Sequence, residues 1–521
     1  MSGRSTWTGL VAAAVLILAG CGAEFDVIIE GGKVLDGTGS QAIQADVASS
    51  NGRLAAIGDL SGRSAGRRVD AAGLVVTPGF IDVHSHAGPG LETAELSHGE
   101  PLLRQGITTV FANPDGGGPV DVARQRLALE AASPGVNVAL LVPHGSVRRE
   151  VMGMENRHAT PDEVAEMAAL VQAGKDAGAF GLSSGLFYTP GSFAALSEVV
   201  ELARVFGKDG VYTSHIRDES DYSIGLMAAI EEVITVAEQA ETRGIVTHIK
   251  ALGPHVWGFS EQAISRIESA RASGIDVWAD QYPYEASATS LTALVSRPLL
   301  AGGFDSLVVR LETLPKVMRA DITSNLERRG GAGRIQFRRF APDPSVEGLT
   351  LAEVAGNRGT DAVGAAMELL REGSAGIVSH NMVAADVERF MGLPWVMTSS
   401  DGGLVPMGEG VPHPRNYGSF PRKIALYVTE RGTLPLATAV RSMTGLPADV
   451  MGMSSRGYLR EGLVADVVIF DPARLRDRAT YTEPHQLSEG VVYLFVAGQL
   501  AIDQGSLSSS QYGQVLTRGI D

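Results

Sequence analysis

Between residues 76 and 435, short apolar runs of strand character alternate with helical stretches, and this rhythm restricts the chain to few folds. The runs are Phe80–His86, Thr108–Ala112, Val136–His144, Ala179–Gly185, Gly210–Arg217, Gly244–Lys250, Ile275–Tyr284, Ala375–His380 and Trp395–Asp401. Helical patterns such as Pro161–Asp176 and the amphipathic Asp221–Arg243 lie between them. Repeated β-then-α units build a parallel sheet with helical crossovers, and eight of them close a (β/α)8 TIM barrel. Nine candidates compete for eight places, so one near the end is surplus or lies outside the barrel. Residues 286–350 break the rhythm and carry a basic cluster of Arg328, Arg329, Arg334, Arg338 and Arg339. They read as an insertion after the seventh strand, either a lid or a solvated excursion.

Both ends of the chain have a different character. Phe25–Gly39 and Arg53–Gly58 read as short strands turned by glycines, and so do Ala465–Asp471 and Val491–Ile502. The economical reading is a small β-sandwich domain built from residues 24–75 and 436–521, with the barrel of 76–435 inserted between its halves. A chain of 521 residues suits such a two-part α/β architecture. The formal net charge of −16 leaves no basic surplus for phosphates, so nucleic acid is not an expected partner. The one cysteine, Cys21, excludes an intramolecular disulfide. It follows an apolar run, Leu10–Leu18, and Leu18-Ala19-Gly20-Cys21 resembles the bacterial lipobox. Residues 1–20 are therefore expected to be a lipoprotein signal peptide. Acyl chains on Cys21 would tether an exported protein to a membrane, periplasmic or at the cell surface.

Polar residues capable of chemistry fall at the C-terminal ends of the expected strands, where barrel enzymes place their sites. His84 and His86 close the first. Side chains two apart on a strand share a side, so both imidazoles can reach one cation at about 2.0–2.1 Å. His215, His248 and Asp401 end the fifth, sixth and last. His144 and His380 also end strands, and read as buried hydrogen-bonded histidines or as groups orienting a ligand.

The stretch Thr77-Pro-Gly-Phe-Ile-Asp-Val-His-Ser-His86 resembles the first-strand signature of the amidohydrolase superfamily. Val142–Arg149, Gly181–Gly191, Tyr212–Glu219, Thr247–Lys250 and His413–Arg422 narrow the resemblance to the D-aminoacylase (N-acyl-D-amino-acid deacylase) family. That family implies one or two zinc ions, other divalent metals being possible. Its members usually carry a cysteine ligand after the second strand. Asp115 stands there in this chain, within Asn113-Pro-Asp-Gly116. A carboxylate can ligate zinc and bridge two ions, although it is a harder donor than thiolate; the other reading is a turn-capping aspartate. The implied ligands are His84, His86, Asp115, His215, His248 and Asp401. Zinc lowers the pKa of a bound water to about 7, and Asp401 is the candidate to take its proton and pass it to the leaving nitrogen. Lys250, Tyr188, Tyr282 and Arg415 are candidates to hold the carboxylate of an N-acyl amino acid. Alternatives are a dipeptidase, a cyclic-amide hydrolase of the hydantoinase or dihydroorotase kind, or a barrel that binds without catalysis. Cyclic-amide hydrolases often carry a carboxylated lysine in the barrel, and no lysine lies on the expected fourth strand here.

Overall fold

A computed structural model of the chain describes residue 3 and residues 23–520. Eight parallel strands form the barrel: β1 (Phe80–Asp82), β2 (Ile107–Ala112), β3 (Asn137–Leu140, continued by Val142–Pro143), β4 (Gly181–Gly185), β5 (Val211–His215), β6 (Arg243–Val246), β7 (Val277–Gln281) and β8 (Val396–Thr398). Neighbours pair in that order from β1 to β8. The seam between β8 and β1 closes just beyond the strands, where Asp401 N donates to His84 O at 2.9 Å and His86 N to Gly402 O at 2.7 Å. Closure thus locks together two of the segments that carry candidate ligands.

The lower barrel is a packed core. Ile81, Val83, Phe111, Ala139, Leu141, Phe180, Val211, Ile245 and Met397 form one buried cluster, completed by Leu446, Val450 and Met451. The last three come from the helix Gly445–Met451, so this segment of the stretch assigned by sequence to the β-domain packs against the barrel. With that end filled, a site can open only at the C-terminal face.

The surplus run is the eighth of the nine, Ala375–His380, which supplies Gly376–Ser379 and stands outside the barrel. It pairs antiparallel with Ser287–Ser290 and Ile335–Arg339 in a three-stranded sheet. Around that sheet the insertion has its own core, drawn from Leu291 to Ile377 and including Phe337, Phe340 and Leu351. The insertion is therefore a folded unit continuing past residue 350. The apolar positions of its helices fall between polar ones over lengths too short for the surplus strand to stand out in the sequence.

Strands from both termini hydrogen-bond into one nine-stranded sheet, in which Val467–Phe470 pairs with Val75–Pro78. Val75, Val468, Phe470, Leu494 and Val496 join the barrel's main apolar cluster, while Val27, Ile29, Val47 and Ile469 form a cluster of their own. No helix of the described residues is long and apolar enough to cross a membrane. Cys21 and the expected signal peptide lie outside the described residues, Gly3 apart.

Candidate metal centre

Four histidines and two aspartates converge above the packed core. His84 follows β1 and is buried; the His86 side chain two residues on is 42% exposed. Asp115 follows β2, His215 ends β5, His248 lies just beyond β6, and Asp401 follows β8. The Asp115 carboxylate is central. Its Oδ1 lies 3.3 Å from His84 Nε2, 3.5 Å from His248 Nε2 and 3.7 Å from His215 Nδ1, and its Oδ2 lies 3.3 Å from His86 Nε2. Asp401 Oδ1 lies 3.2 Å from His86 Nε2 and 3.6 Å from His84 Nε2. The donors divide into two sets, His84–His86–Asp115–Asp401 and Asp115–His215–His248, each with one donor atom per residue within 4.8 Å of the others. Asp115 belongs to both.

Local chemistry explains how these atoms are held. Asp82, within Phe-Ile-Asp-Val-His, accepts from His84 N and Ser400 N and bonds Ser400 Oγ, pinning β1 to the end of β8. Burial pushes its carboxyl up to about 6. Asp280 accepts from His248 N at 2.9 Å and Ser399 Oγ at 2.6 Å, fixing the backbone of two ligand-bearing segments. Asp115, His248 and Asp401 all sit at positive φ, at 55°, 36° and 48°. Non-glycine residues rarely adopt that region, and surrounding contacts must hold them there. At the Asp115 turn, Gly185 permits the necessary approach, since a Cβ there would lie 2.1 Å from Asp115 O.

The set fits a cation. His84 Nε2, Asp115 Oδ1 and both ring nitrogens of His215 are buried without a hydrogen-bond partner. Such atoms are costly to leave unmatched. Burial opposes the charge on Asp115, but His84, His215 and His248 outweigh it and keep its carboxyl well below the usual range. Asp401 behaves likewise, with Arg415 and His248 overcoming burial. His86 is opposed by burial, yet Asp115 and Asp401 drive its imidazole up to about 9. This corner is rich in negative charge.

Lys250 has a different setting from that expected of a free carboxylate binder. Its Nζ donates to Glu219 Oε1 at 2.7 Å and lies 2.6 Å from His248 Nδ1. Its charge is already countered, although it still lines the cavity. Glu219 was not singled out from the sequence. It lies 3.2 Å from His248 Nδ1 and 3.6 Å from His215 Nε2, on the side of both rings away from Asp115, where an acid orients a ligating imidazole. Its four-residue spacing from His215 was the available signal. Arg415 Nη1 donates to Asp401 Oδ2 at 2.7 Å. His413 aligns that arginine, with Nδ1 accepting from Arg415 N and Nε2 donating to Ala286 O. Tyr282 lies with Lys250 Nζ 5.6 Å and Arg415 Cζ 4.9 Å from its ring centre, and its hydroxyl is buried without a partner. Tyr188 packs 4.6 Å from the His215 ring and lines the cavity. His144 bonds Glu198 at 2.9 Å in a buried cluster with Arg148, while His380 belongs to the insertion and packs on Tyr481. Neither reaches the cluster of donors. The cavity above the donors has a volume of about 610 Å³.

Residues 67–502 match the model of the Amidohydrolase family. The chain belongs to the amidohydrolase family, in its D-aminoacylase branch. It is 34% identical to the D-aminoacylase of Alcaligenes xylosoxydans xylosoxydans, over 95% of this chain and 98% of that one. It is 36% identical to the N-acyl-D-glutamate deacylase of the same organism, over 95% and 97%. A crystal structure of N-acyl-D-glutamate deacylase from Bordetella bronchiseptica superposes with a TM-score of 0.81 at 34% identity, covering 95% of this amidohydrolase and 99% of that chain. That structure holds zinc and a phosphonate inhibitor mimicking the tetrahedral intermediate. The fourth strand of this amidohydrolase, Gly-Leu-Ser-Ser-Gly, contains no lysine.

Proposed function

We propose that this amidohydrolase cleaves N-acyl-D-amino acids to a carboxylate and a free D-amino acid. The observation that carries the reading is the placing of unpartnered nitrogen and oxygen donors around Asp115, directly beside the Arg415–Tyr282–Lys250 corner. The donors suit a cation, and Lys250 and Arg415, which line the same cavity beside them, suit a carboxylate. Relatives of similar length that act on N-acyl-D-amino acids support the substrate class. Zinc, as one ion or two, would be held by His84, His86, Asp115, His215, His248 and Asp401, and would supply the Lewis acidity that polarises an amide carbonyl and acidifies a water.

The chain's own groups do the rest. Asp401 is ionised and faces the cavity, so its carboxylate takes the proton of the attacking water and returns it to the leaving nitrogen. Arg415 orients Asp401 through its 2.7 Å bond and presents the rest of its guanidinium toward the Tyr282 corner. The Tyr282 hydroxyl, and Lys250 in partnership with Glu219, complete the seat for the α-carboxylate. Tyr188 closes the wall beside His215.

Kinetics on N-acetyl-D- and N-acetyl-L-amino acids, dipeptides and hydantoins test this reading. Turnover of the D-series is expected, and turnover confined to L-dipeptides or hydantoins would sink it. Asp401→Asn should lower kcat by about 10²–10⁴-fold with bound metal largely retained; near-normal kcat would remove Asp401 as the base.

We also propose that the enzyme is exported and tethered through lipidated Cys21, a reading supported by the Leu18–Cys21 motif alone. Cys21→Ser should move it from the membrane fraction to the soluble one, and unchanged fractionation counts against the tether.

A further inference from the structure

Asp115 serves both sets of donors, yet only imidazoles face its carboxylate. Among the described residues, its side chain accepts no hydrogen bond from a group outside the donor cluster. Its companions are steadied by groups that are not ligands, Asp401 by Arg415 and His248 by Asp280 and Lys250. The aim of Asp115 therefore rests on the backbone of its own loop. That loop carries two non-glycine residues at positive φ, Asn113 at 63° and Asp115 at 55°. Such residues persist only where the surrounding contacts over-determine them.

Those contacts come from two flanks. Ser183 lies on β4, a strand that contributes none of the six donors. Its buried hydroxyl donates to Asn113 O at 2.5 Å and accepts from Gly116 N at 3.2 Å, so one oxygen ties the loop on both sides of Asp115. Gln125, buried on the helix Val122–Ala132, holds the other flank. Its Oε1 accepts from Asn113 Nδ2 at 2.7 Å, and its Nε2 donates to Asn113 Oδ1 at 3.1 Å and to Glu92 Oε1 at 2.8 Å. Ser146 N also donates to Gly116 O at 3.0 Å. The loop is pressed close to its neighbours, since a Cβ at Gly116 would lie 2.9 Å from both Gly145 N and Gly185 N.

We infer that Ser183 and Gln125 are positioning residues for the metal centre. Together they fix the Asp115 backbone so that Oδ1 turns to His84, His215 and His248 while Oδ2 turns to His86. A carboxylate free to rotate could serve one set of donors but not both at once. The set Asp115–His215–His248 depends on this most, because Asp115 is its one anion, whereas the other set keeps Asp401. The role belongs to the metal centre and does not depend on which amide is cleaved.

The zinc affinity of the full chain, read by competition with a chromophoric chelator, tests this without turnover, so a failure of the deacylase reading leaves the test intact. Ser183→Ala should weaken zinc binding about 10–100-fold, the usual cost of losing a group that orients a ligand. The control is Ser184→Ala. Ser184 is equally buried on the same strand, but its hydroxyl bonds Tyr212 and Ser214, away from the loop. Its loss removes a similar buried hydroxyl and should change zinc affinity by less than about twofold, because no ligand is oriented by it. Wild-type affinity in Ser183→Ala, or a fall of similar size in both variants, overturns the positioning role. Where Ser183→Ala does not fold, Gln125→Met decides from the other flank. A fall of about fivefold or more upholds the clamp, and wild-type affinity overturns it.

Discussion

The resemblance to D-aminoacylases sets Asp115 at the place of their thiolate ligand, and the structure puts its carboxylate at the centre of the donors. One carboxylate faces four imidazoles, and each oxygen serves different rings. A carboxylate can span two cations with its two oxygens, whereas a thiolate offers one softer sulfur. Asp115→Ala should therefore lose at least one equivalent of zinc, read by metal analysis after dialysis. Asp115→Cys should retain zinc and resist a competing chelator about tenfold better than the wild type, since zinc prefers thiolate. Wild-type stoichiometry and affinity in the alanine variant would leave Asp115 as a turn residue. The histidine pair was legible in the sequence because a period of two places alternate side chains together. His413 was not legible, and Glu219 only through its four-residue spacing from His215. They act on atoms of His248 and Arg415 that only the folded loops bring within reach.

The helix Arg415–Arg422 continues into a π-helical segment, Lys423–Glu430, and at the junction Lys423 is 1% exposed. Its ammonium donates to Thr398 Oγ1 at 2.9 Å and Ser442 Oγ at 2.8 Å, both neutral. Burial lowers its pKa to about 7, against about 10.4 for a lysine in the unfolded chain. Between those values the unfolded state holds a proton that the folded state lacks, so this group adds stability as pH rises through the window. Below pH 7 both states are charged, and the full cost of burying the ammonium is present. Lys423→Met leaves the Thr398–Ser442 hydroxyl pair bonded at 3.0 Å. Denaturation midpoints at pH 7 and pH 9.5 should show the variant's advantage shrinking as pH rises, by on the order of 1–3 kcal/mol. Parallel behaviour of the two proteins would mean that Lys423 keeps an ordinary pKa. The insertion makes a related point about elements. Its surplus strand, Gly376–Ser379, has the same β-run character as a barrel strand and differs only in what it pairs with.

At the scale of the whole molecule, the sheet and the barrel are joined through buried polar groups as well as apolar ones. Asp466, just before a sheet strand, accepts from Asn137 Nδ2 of β3 at 3.1 Å and from Ala497 N at 2.6 Å, and pairs with buried Arg456. The last segment of the chain returns to the barrel, where Val138 N donates to Gln514 O and Leu516 N to Val138 O. Periodicity carried the barrel and the two-ended β-domain, because hydrophobic alternation is a local property that each segment displays by itself; among the candidate ligands, Asp115 came only through the family resemblance. Tertiary structure alone decided which of nine β-runs stayed out of the barrel, which face of Asp115 meets which histidine, and that Lys250 is already paired. It also separated the five arginines of the insertion into three bonded to other groups and two that face the cavity. Pairing and charge compensation depend on groups distant in sequence, and only folding decides which of them meet.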